Sequence, residues 1–336
     1  MSRRSGTGMR RRNFLAGVGA VSAVGGRRAW AQRSEVARRI GVLSQGSIRT
    51  HPTPVFQALL GRLRELGWFE NQNLEIEWRF SEGSADLLAR LARELVDKKC
   101  EVIIATPTQP AIIAKRVAPA IPIVFVQIAD PVQAGIVTNL ARPDGNATGL
   151  STLSTDLAGK RLELLREALP GITRASILWN RPSRGSALVL DEMKAAAKSL
   201  NLELQDVGIS EFGELERAFQ AAVGNRSSAV VVNDDPVMSG YSQTVLRMAA
   251  ERKLPIASVY PQFATNGGLM AYGPDLPAMY RRSAEYVDRI LRREKTANLP
   301  VEQPSKFTLV INLKTAKALG LAFPPTLLAR ADEVIE

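Results

Sequence analysis

Six short polar strings stand where apolar runs end, and their side chains are of kinds that hold a small ligand rather than react with it. Ser44-Gln45-Gly46-Ser47 follows Ile40–Leu43, Thr106-Pro107-Thr108-Gln109 follows Val102–Ala105, and Gln127-Ile128-Ala129-Asp130-Pro131 follows Ile121–Val126. Farther along, Asn180-Arg181-Pro182-Ser183 follows Ala175–Trp179, Asn233-Asp234-Asp235-Pro236 follows Ala229–Val232, and Tyr260 follows Ile256–Val259. Hydroxyls and free backbone N–H groups suit a carboxylate, Asp130 and Asp235 suit an ammonium, and Tyr260 or Trp179 offers an apolar wall. Together they fit an amino acid or similar zwitterion. Ser44, Thr106, Thr108, Asp130, Asn180, Asp235 and Tyr260 are therefore expected to bind ligand. The serine, threonines, asparagine and aspartates among them are also ordinary helix caps, worth about 1 kcal/mol each in that role. The signal lies in six strand ends agreeing.

Arrangements that would carry catalysis do not occur in the sequence. Gly41-Val42-Leu43-Ser44-Gln45-Gly46 has one residue too many for the G-x-S-x-G nucleophile elbow, and a serine triad would have to use His51, the one histidine. His51 sits in the turn Thr50-His51-Pro52-Thr53-Pro54, where a solvated loop residue is expected, with a rim contact to ligand as the alternative. Gly17, Gly19 and Gly25 mimic a dinucleotide loop but lie in the N-terminal segment, and no phosphate-binding loop is present. The one cysteine, Cys100, excludes an intramolecular disulfide and a thiolate metal cluster. It falls between a helical stretch, Leu87–Lys98, and an apolar strand, so a buried structural thiol is expected. The adjacent carboxylates Asp234-Asp235 could bind a metal, but a cap plus one ligand contact is the favoured reading. No catalytic residue, cofactor or metal is expected.

The elements that must position these strings alternate between β-branched runs and stretches of helical period. A strand at Ile40–Leu43 leads to a helix from Pro54 to Gly67, with Val55, Leu59, Leu63 and Leu66 on one face. Leu74–Trp78 alternates as a half-buried strand, and Leu87, Leu88, Leu91 and Leu95 stripe the next helix. Val102–Ala105 and Ile121–Val126 flank a helical Pro110–Val117. Such βαβα order specifies a parallel sheet with helices on both faces. Asp144–Gly149 reads as a polar, glycine-containing break, after which the pattern restarts. Helices at Asp156–Ala168, Ala187–Leu200, Glu211–Val223 and Ser239–Lys253 alternate with strands at Ala175–Trp179, Leu202–Val207, Ala229–Val232 and Ile256–Val259. A short strand at Leu269–Tyr272, a helix with Met279, Tyr280, Ala284, Val287 and Leu291 inward, an extended Leu299–Pro304, a strand at Phe307–Ile311 and a helix from Leu313 close the chain. These are too few for a third domain, so the chain is expected to cross back between two lobes. The fold class is α/β, with two doubly wound lobes joined by a multi-strand hinge and facing each other across a cleft. Lobe 1 would comprise 37–150 plus about 273–298, and lobe 2 151–272 plus about 305–336.

The first 31 residues are expected to be an export signal that takes no part in the fold. Arg10-Arg11-Arg12-Asn13-Phe14-Leu15 opens an apolar run to Gly25, and Ala29-Trp30-Ala31 supplies small residues flanking a cleavage point after Ala31. The Arg-Arg-x-Phe-Leu core is similar to a twin-arginine signal, with ordinary secretion or a retained anchor as the other readings. The run is too short for a comfortable membrane span of about 20 residues. Without residues 1–31, which hold seven arginines and no acid, the net charge falls from +11 to +4. The basic balance therefore says little about nucleic acid, and none is expected as a partner.

Longer strings carry a resemblance. Ala120–Val126, Asp130-Pro131, Gly135-Ile136-Val137 and Leu140–Gly149 resemble the substrate-binding proteins of ABC importers, in the family linked to tryptophan and other aromatic amino acids. Gly267–Pro274, Leu299–Pro304 and Ile311–Ala316 extend the similarity over about 37–336. The resemblance implies a periplasmic-binding fold of type I, ligand held between the lobes, no catalysis, and cleft positions Ser44, Thr106, Asp130, Asn180, Asp235 and Tyr260. Its implied partners are a small-molecule ligand and an ABC permease with its ATPase. The protein is expected to be a periplasmic monomer that delivers its solute to the membrane. An exported ligand-sensing protein and an exported enzyme on the same fold are the alternatives.

Overall fold

The structure, a computed structural model, describes residues 37–48, 53–233 and 235–336. The expected export signal, His51 and Asp234 lie outside them. The chain begins with β1 (Arg38–Ser44), α1 (Pro54–Glu65), β2 (Leu74–Phe80), α2 (Ala85–Asp97), β3 (Val102–Thr106), α3 (Thr108–Val117), β4 (Ile123–Ile128) and β5 (Ala147–Ser151). Next come α4 (Ala158–Ala168), β6 (Arg174–Leu178), α5 (Arg184–Ser199), β7 (Glu203–Asp206), α6 (Leu215–Gly224), β8 (Val230–Val232), α7 (Pro236–Gly240), α8 (Ser242–Glu251) and β9 (Ile256–Ser258). It ends with α9 (Pro261–Thr265), β10 (Met270–Pro274), α10 (Leu276–Leu291), β11 (Phe307–Asn312), α11 (Leu313–Ala318), α12 (Pro325–Leu328) and β12 (Glu333–Ile335).

The strands form two sheets. The first is wholly parallel in the order β2-β1-β3-β4-β5, and the second runs β12-β11-β10-β9-β8-β6-β7, parallel except at β10–β11. Central strands β3 and β4 are buried along their whole length, whereas the edge strand β2 is mostly half-buried, which is why its sequence alternates. Helices α2 and α3 cover one face of sheet 1, and α1 with α10 covers the other. On sheet 2, α4 and α5 lie on one face and α6 and α8 on the other. The α1/α10 core and the α6/α8 core of the second sheet belong to one continuous cluster, which includes Met238 and Tyr260.

Three segments pass between the sheets. The first is the stretch from β5 to α4, and the second leads from β10 in sheet 2 to α10, which packs on α1 and β4. The third returns through Leu299–Glu302 to β11. Glu302 N–H donates to Gly149 O at 3.0 Å and Ser151 N–H to Glu302 O at 2.9 Å, so the first and third segments are stitched together. Arg161, nearly buried, donates to Ser154 O on the first segment and to Tyr272 O at the base of the second. Leu153 stands between them at φ 55°, a left-handed conformation that concentrates the change of direction.

Two sequence expectations need correction. Asp144–Gly149 is not simply a break, because Ala147–Ser151 is the buried fifth strand of sheet 1. Its glycine is required: a Cβ at Gly149 would stand 1.9 Å from Phe125 O, and φ is 150°. The helix expected over Ser239–Lys253 begins at Pro236 and is interrupted at Tyr241, beyond Gly240. The C-terminal strand β12 and the short helix α9 carried no periodic signal at that length. Cys100 is buried, and burial, the largest influence, pushes its thiol up to about 11.

Candidate functional site

In parallel sheets ligands sit beyond the carboxyl ends of the strands, where following helices begin. Here the carboxyl ends of the two sheets meet. Gly185, at the start of α5, packs so closely on Thr108, at the start of α3, that a Cβ there would stand 2.5 Å from Thr108 Oγ1. Gly46 lies 4.0 Å from Pro236 and Gly83 lies 3.4 Å from Val237, both measured from an added Cβ. The groups at this junction are consequently buried although they are polar.

Lobe 1 contributes Ser44, Thr106 and Thr108, each almost wholly buried. Ser44 Oγ accepts from Gly46 N–H at 3.1 Å, which shapes the turn after β1. Thr106 Oγ1 is 2.6 Å from Tyr280 Oη on α10, and Tyr280 Oη donates to Gln127 Oε1 at 3.2 Å. Gln127 Nε2 in turn donates to Tyr260 Oη at 2.8 Å. This relay, Thr106–Tyr280–Gln127–Tyr260, starts on sheet 1 and ends two residues after β9 of sheet 2. Gln127 reaches both tyrosines because β4 slips register between Phe125 and Ile128 and Gln127 adopts φ 62°. Such irregularities re-aim a side chain out of the alternating pattern.

Lobe 2 contributes Asn180, Asp235 and Tyr260. The Asp235 carboxylate is wholly buried and accepts from Asn180 Nδ2 at 3.1 Å, Ser186 Oγ at 3.2 Å and Val237 N–H at 2.8 Å. The last of these bonds makes it the cap of α7. Tyr241 nearby has its hydroxyl pKa raised, first by burial and then by Asp235 and by Glu82 of lobe 1. Negative charge from both lobes thus converges at this rim.

Two of the expected residues make local contacts, Asp130 next to Ala129, whose Cβ lies 3.7 Å from a Cβ added at Gly185. Asp130 is half-exposed, and its Oδ1 accepts from Val132 N–H at 2.8 Å and Gln133 N–H at 2.9 Å, the signature of a local turn. Trp179 donates to Asp206 Oδ1 at 2.6 Å and lies over Gly208, so it is engaged within its own lobe. Four participants were not singled out from sequence: Gln45, Ser81, Gln127 and Tyr280. Gln45 and Gln127 share a signal, a long amide placed directly at the end of a buried strand. Gln45 is 0% exposed, and neither its Oε1 nor its Nε2 has a hydrogen-bond partner among the described residues. Among those residues no group of acidic, histidine and cysteine side chains could hold a metal, and no helix is long and apolar enough to cross a membrane.

Known proteins resemble this chain in sequence and fold. A tyrosine-binding protein of Clostridioides difficile is 28% identical over 260 residues, which cover 77% of this chain and 74% of that protein. The structure of a conserved domain protein from Vibrio cholerae O1 superposes with a TM-score of 0.83 at 25% identity, covering 89% of this chain and 99% of the other. That of an ABC domain in complex with L-Trp from Streptococcus pneumoniae gives 0.79 at 25% identity, covering 89% and 100%. The first of these relatives is named for binding tyrosine, and the last holds L-Trp. Residues 53–335 match the profile of ABC transporter substrate binding proteins. With two α/β sheets meeting at their carboxyl ends and nearly the whole described chain covered by the match, this chain belongs to the ABC transporter substrate-binding protein family.

Proposed function

We propose that the protein binds an aromatic amino acid of the tyrosine or tryptophan kind between its two lobes and carries it to the permease of an ABC importer. Residues 1–31 would export it, leaving a periplasmic monomer. The observation that carries this reading is the junction itself: wholly buried polar side chains from the ends of both sheets, Gln45 among them with no partner among the described residues. A ligand seated there touches both lobes only when they meet, so its binding favours that arrangement through the bonds it makes to each. The names of the C. difficile and S. pneumoniae relatives support an aromatic ligand. Ser44, Thr106, Thr108, Asn180, Asp235 and Tyr260 would line or brace the site, with Asp130 only shaping a neighbouring turn.

Titration calorimetry of purified protein with L-tyrosine, L-tryptophan, L-phenylalanine and L-leucine tests the reading. One aromatic amino acid is expected to bind in a 1:1 ratio and, at a hundred times its Kd, to add about 2.7 kcal/mol of stability. No heat and no thermal shift from any aromatic amino acid would contradict it. A second expectation concerns the relay. Tyr260→Phe removes the acceptor of Gln127 Nε2 across the lobes, so ligand release measured by stopped flow should accelerate about three- to tenfold. Unchanged release would mean that the relay does not hold the lobes together.

A further inference from the structure

We propose that Gln45 is the residue that reads a free α-amino acid, its carboxamide donating to the ligand's carboxylate and accepting from its ammonium, with Ser81 a second donor to the carboxylate. This assignment rests on the binding function proposed above. Gln45 and Ser81 are both 0% exposed, and Gln45 Nε2, Gln45 Oε1 and Ser81 Oγ all lack a hydrogen-bond partner among the described residues. Buried polar atoms are almost always satisfied, so a group of them left unmet marks a place where something outside the chain completes the bonding.

Their positions put them side by side. The register of β1 and β2 ends at the pair Ser44–Phe80, and one step further along both strands are Gln45 and Ser81. Neighbouring parallel strands lie about 4.8 Å apart. The two loops are held at that spacing by Ser81 N–H donating to Ser44 O and Gly83 N–H donating to Gln45 O, each at 2.9 Å. Thr53, which begins α1, makes no side-chain cap bond, and its Oγ1 is buried without a partner among the described residues. The helix α1 has twelve residues, and its first free N–H groups add to the donors on this side of the junction.

The chemistry of the carboxamide selects the ligand class. A glutamine presents one donor and one acceptor on the same carbon. An α-amino acid presents the complementary pair, a carboxylate that accepts and an ammonium that donates, on atoms flanking one carbon. A ligand lacking either group would leave half of Gln45 buried and unmet. An acid alone or an amine alone is therefore rejected by the unmade bond rather than by size.

The test is calorimetry on the full chain with L-tyrosine or L-tryptophan, whichever binds, beside its decarboxylated amine and its deaminated arylpropionate. Wild-type protein should prefer the amino acid over both counterparts by about 30-fold or more. Gln45→Leu should lower amino-acid affinity about 100-fold and level the three ligands. Gln45→Glu, which keeps only acceptors, should shift the preference toward the amine, and Ser81→Ala should cost about tenfold for ligands bearing a carboxylate. Unliganded Gln45→Leu should melt no lower than wild type, because it removes two unmet polar atoms; a lower melting point would show that Gln45 braces the fold, which overturns the assignment. Amino-acid binding by Gln45→Leu within about threefold of wild type, or with its preference over the amine and the arylpropionate retained, also overturns it and leaves the binding function standing. Wild-type protein that binds no aromatic amino acid would instead contradict the function on which the assignment rests.

Discussion

Gly185→Ala is expected to weaken ligand binding by about tenfold to a hundredfold while leaving the unliganded protein as stable as before. The added methyl group has nowhere to go when the lobes meet, since it would stand 2.5 Å from Thr108 Oγ1 and 3.0 Å from Thr108 Cβ. Threonine is short and branched, so it cannot swing aside as a lysine would. Within lobe 2 the position is benign, because Gly185 lies in the first turn of α5, where alanine is a better helix former than glycine. The strain is therefore confined to the arrangement in which the lobes touch. Calorimetry gives the affinity and a thermal melt without ligand gives the stability. Wild-type affinity in this variant would mean that ligand binding does not require Gly185 and Thr108 to come together.

Gly149→Ala should act in the opposite way, damaging the fold whether or not ligand is present. Its Cβ would lie 1.9 Å from Phe125 O and 2.7 Å from Phe125 N, atoms of the adjoining strand β4. Backbone cannot yield without parting β4 from β5, and φ 150° is itself unfavourable for alanine. A loss of about 4 kcal/mol or more is expected, which lowers the apparent melting temperature by about 8–16 °C or prevents soluble expression. The consequence also reaches the hinge, because Gly149 O receives Glu302 N–H from the returning segment. A variant melting within two or three degrees of wild type would show that β4 and β5 can separate at little cost.

The same glycine explains what the sequence could convey. Buried parallel strands such as Val102–Thr106 announce themselves as apolar runs ended by polar residues, so most of both sheets was legible. At Ala147–Ser151 the close approach of Phe125 demanded a glycine, and Asp144-Gly145-Asn146 supplied turn chemistry just before it. That stretch therefore resembled a break. For side chains the limit is different. Asp130 and Asp235 have the same signature, an aspartate before a proline after a buried strand, yet one caps an exposed turn and the other is wholly buried at the junction. Only the location of the second lobe separates them. Gln45 and Gln127 are equally alike on paper. One amide bridges two tyrosines and the other meets nothing among the described residues, and sequence spacing contains neither fact. Tyr280 looked like one more residue of an inward stripe, since a hydroxyl at the tip of a buried ring leaves no trace in helical periodicity.

The central claim is that ligand draws the ends of the two sheets together. Small-angle X-ray scattering of the purified protein, recorded without ligand and then saturated with the aromatic amino acid that binds in calorimetry, tests it most directly. The saturated protein should scatter as the compact arrangement in which Gln127 reaches Tyr260, and the free protein should show a larger radius of gyration. Superimposable curves at proven saturation, with the free protein already as compact as the bound one, would contradict the account.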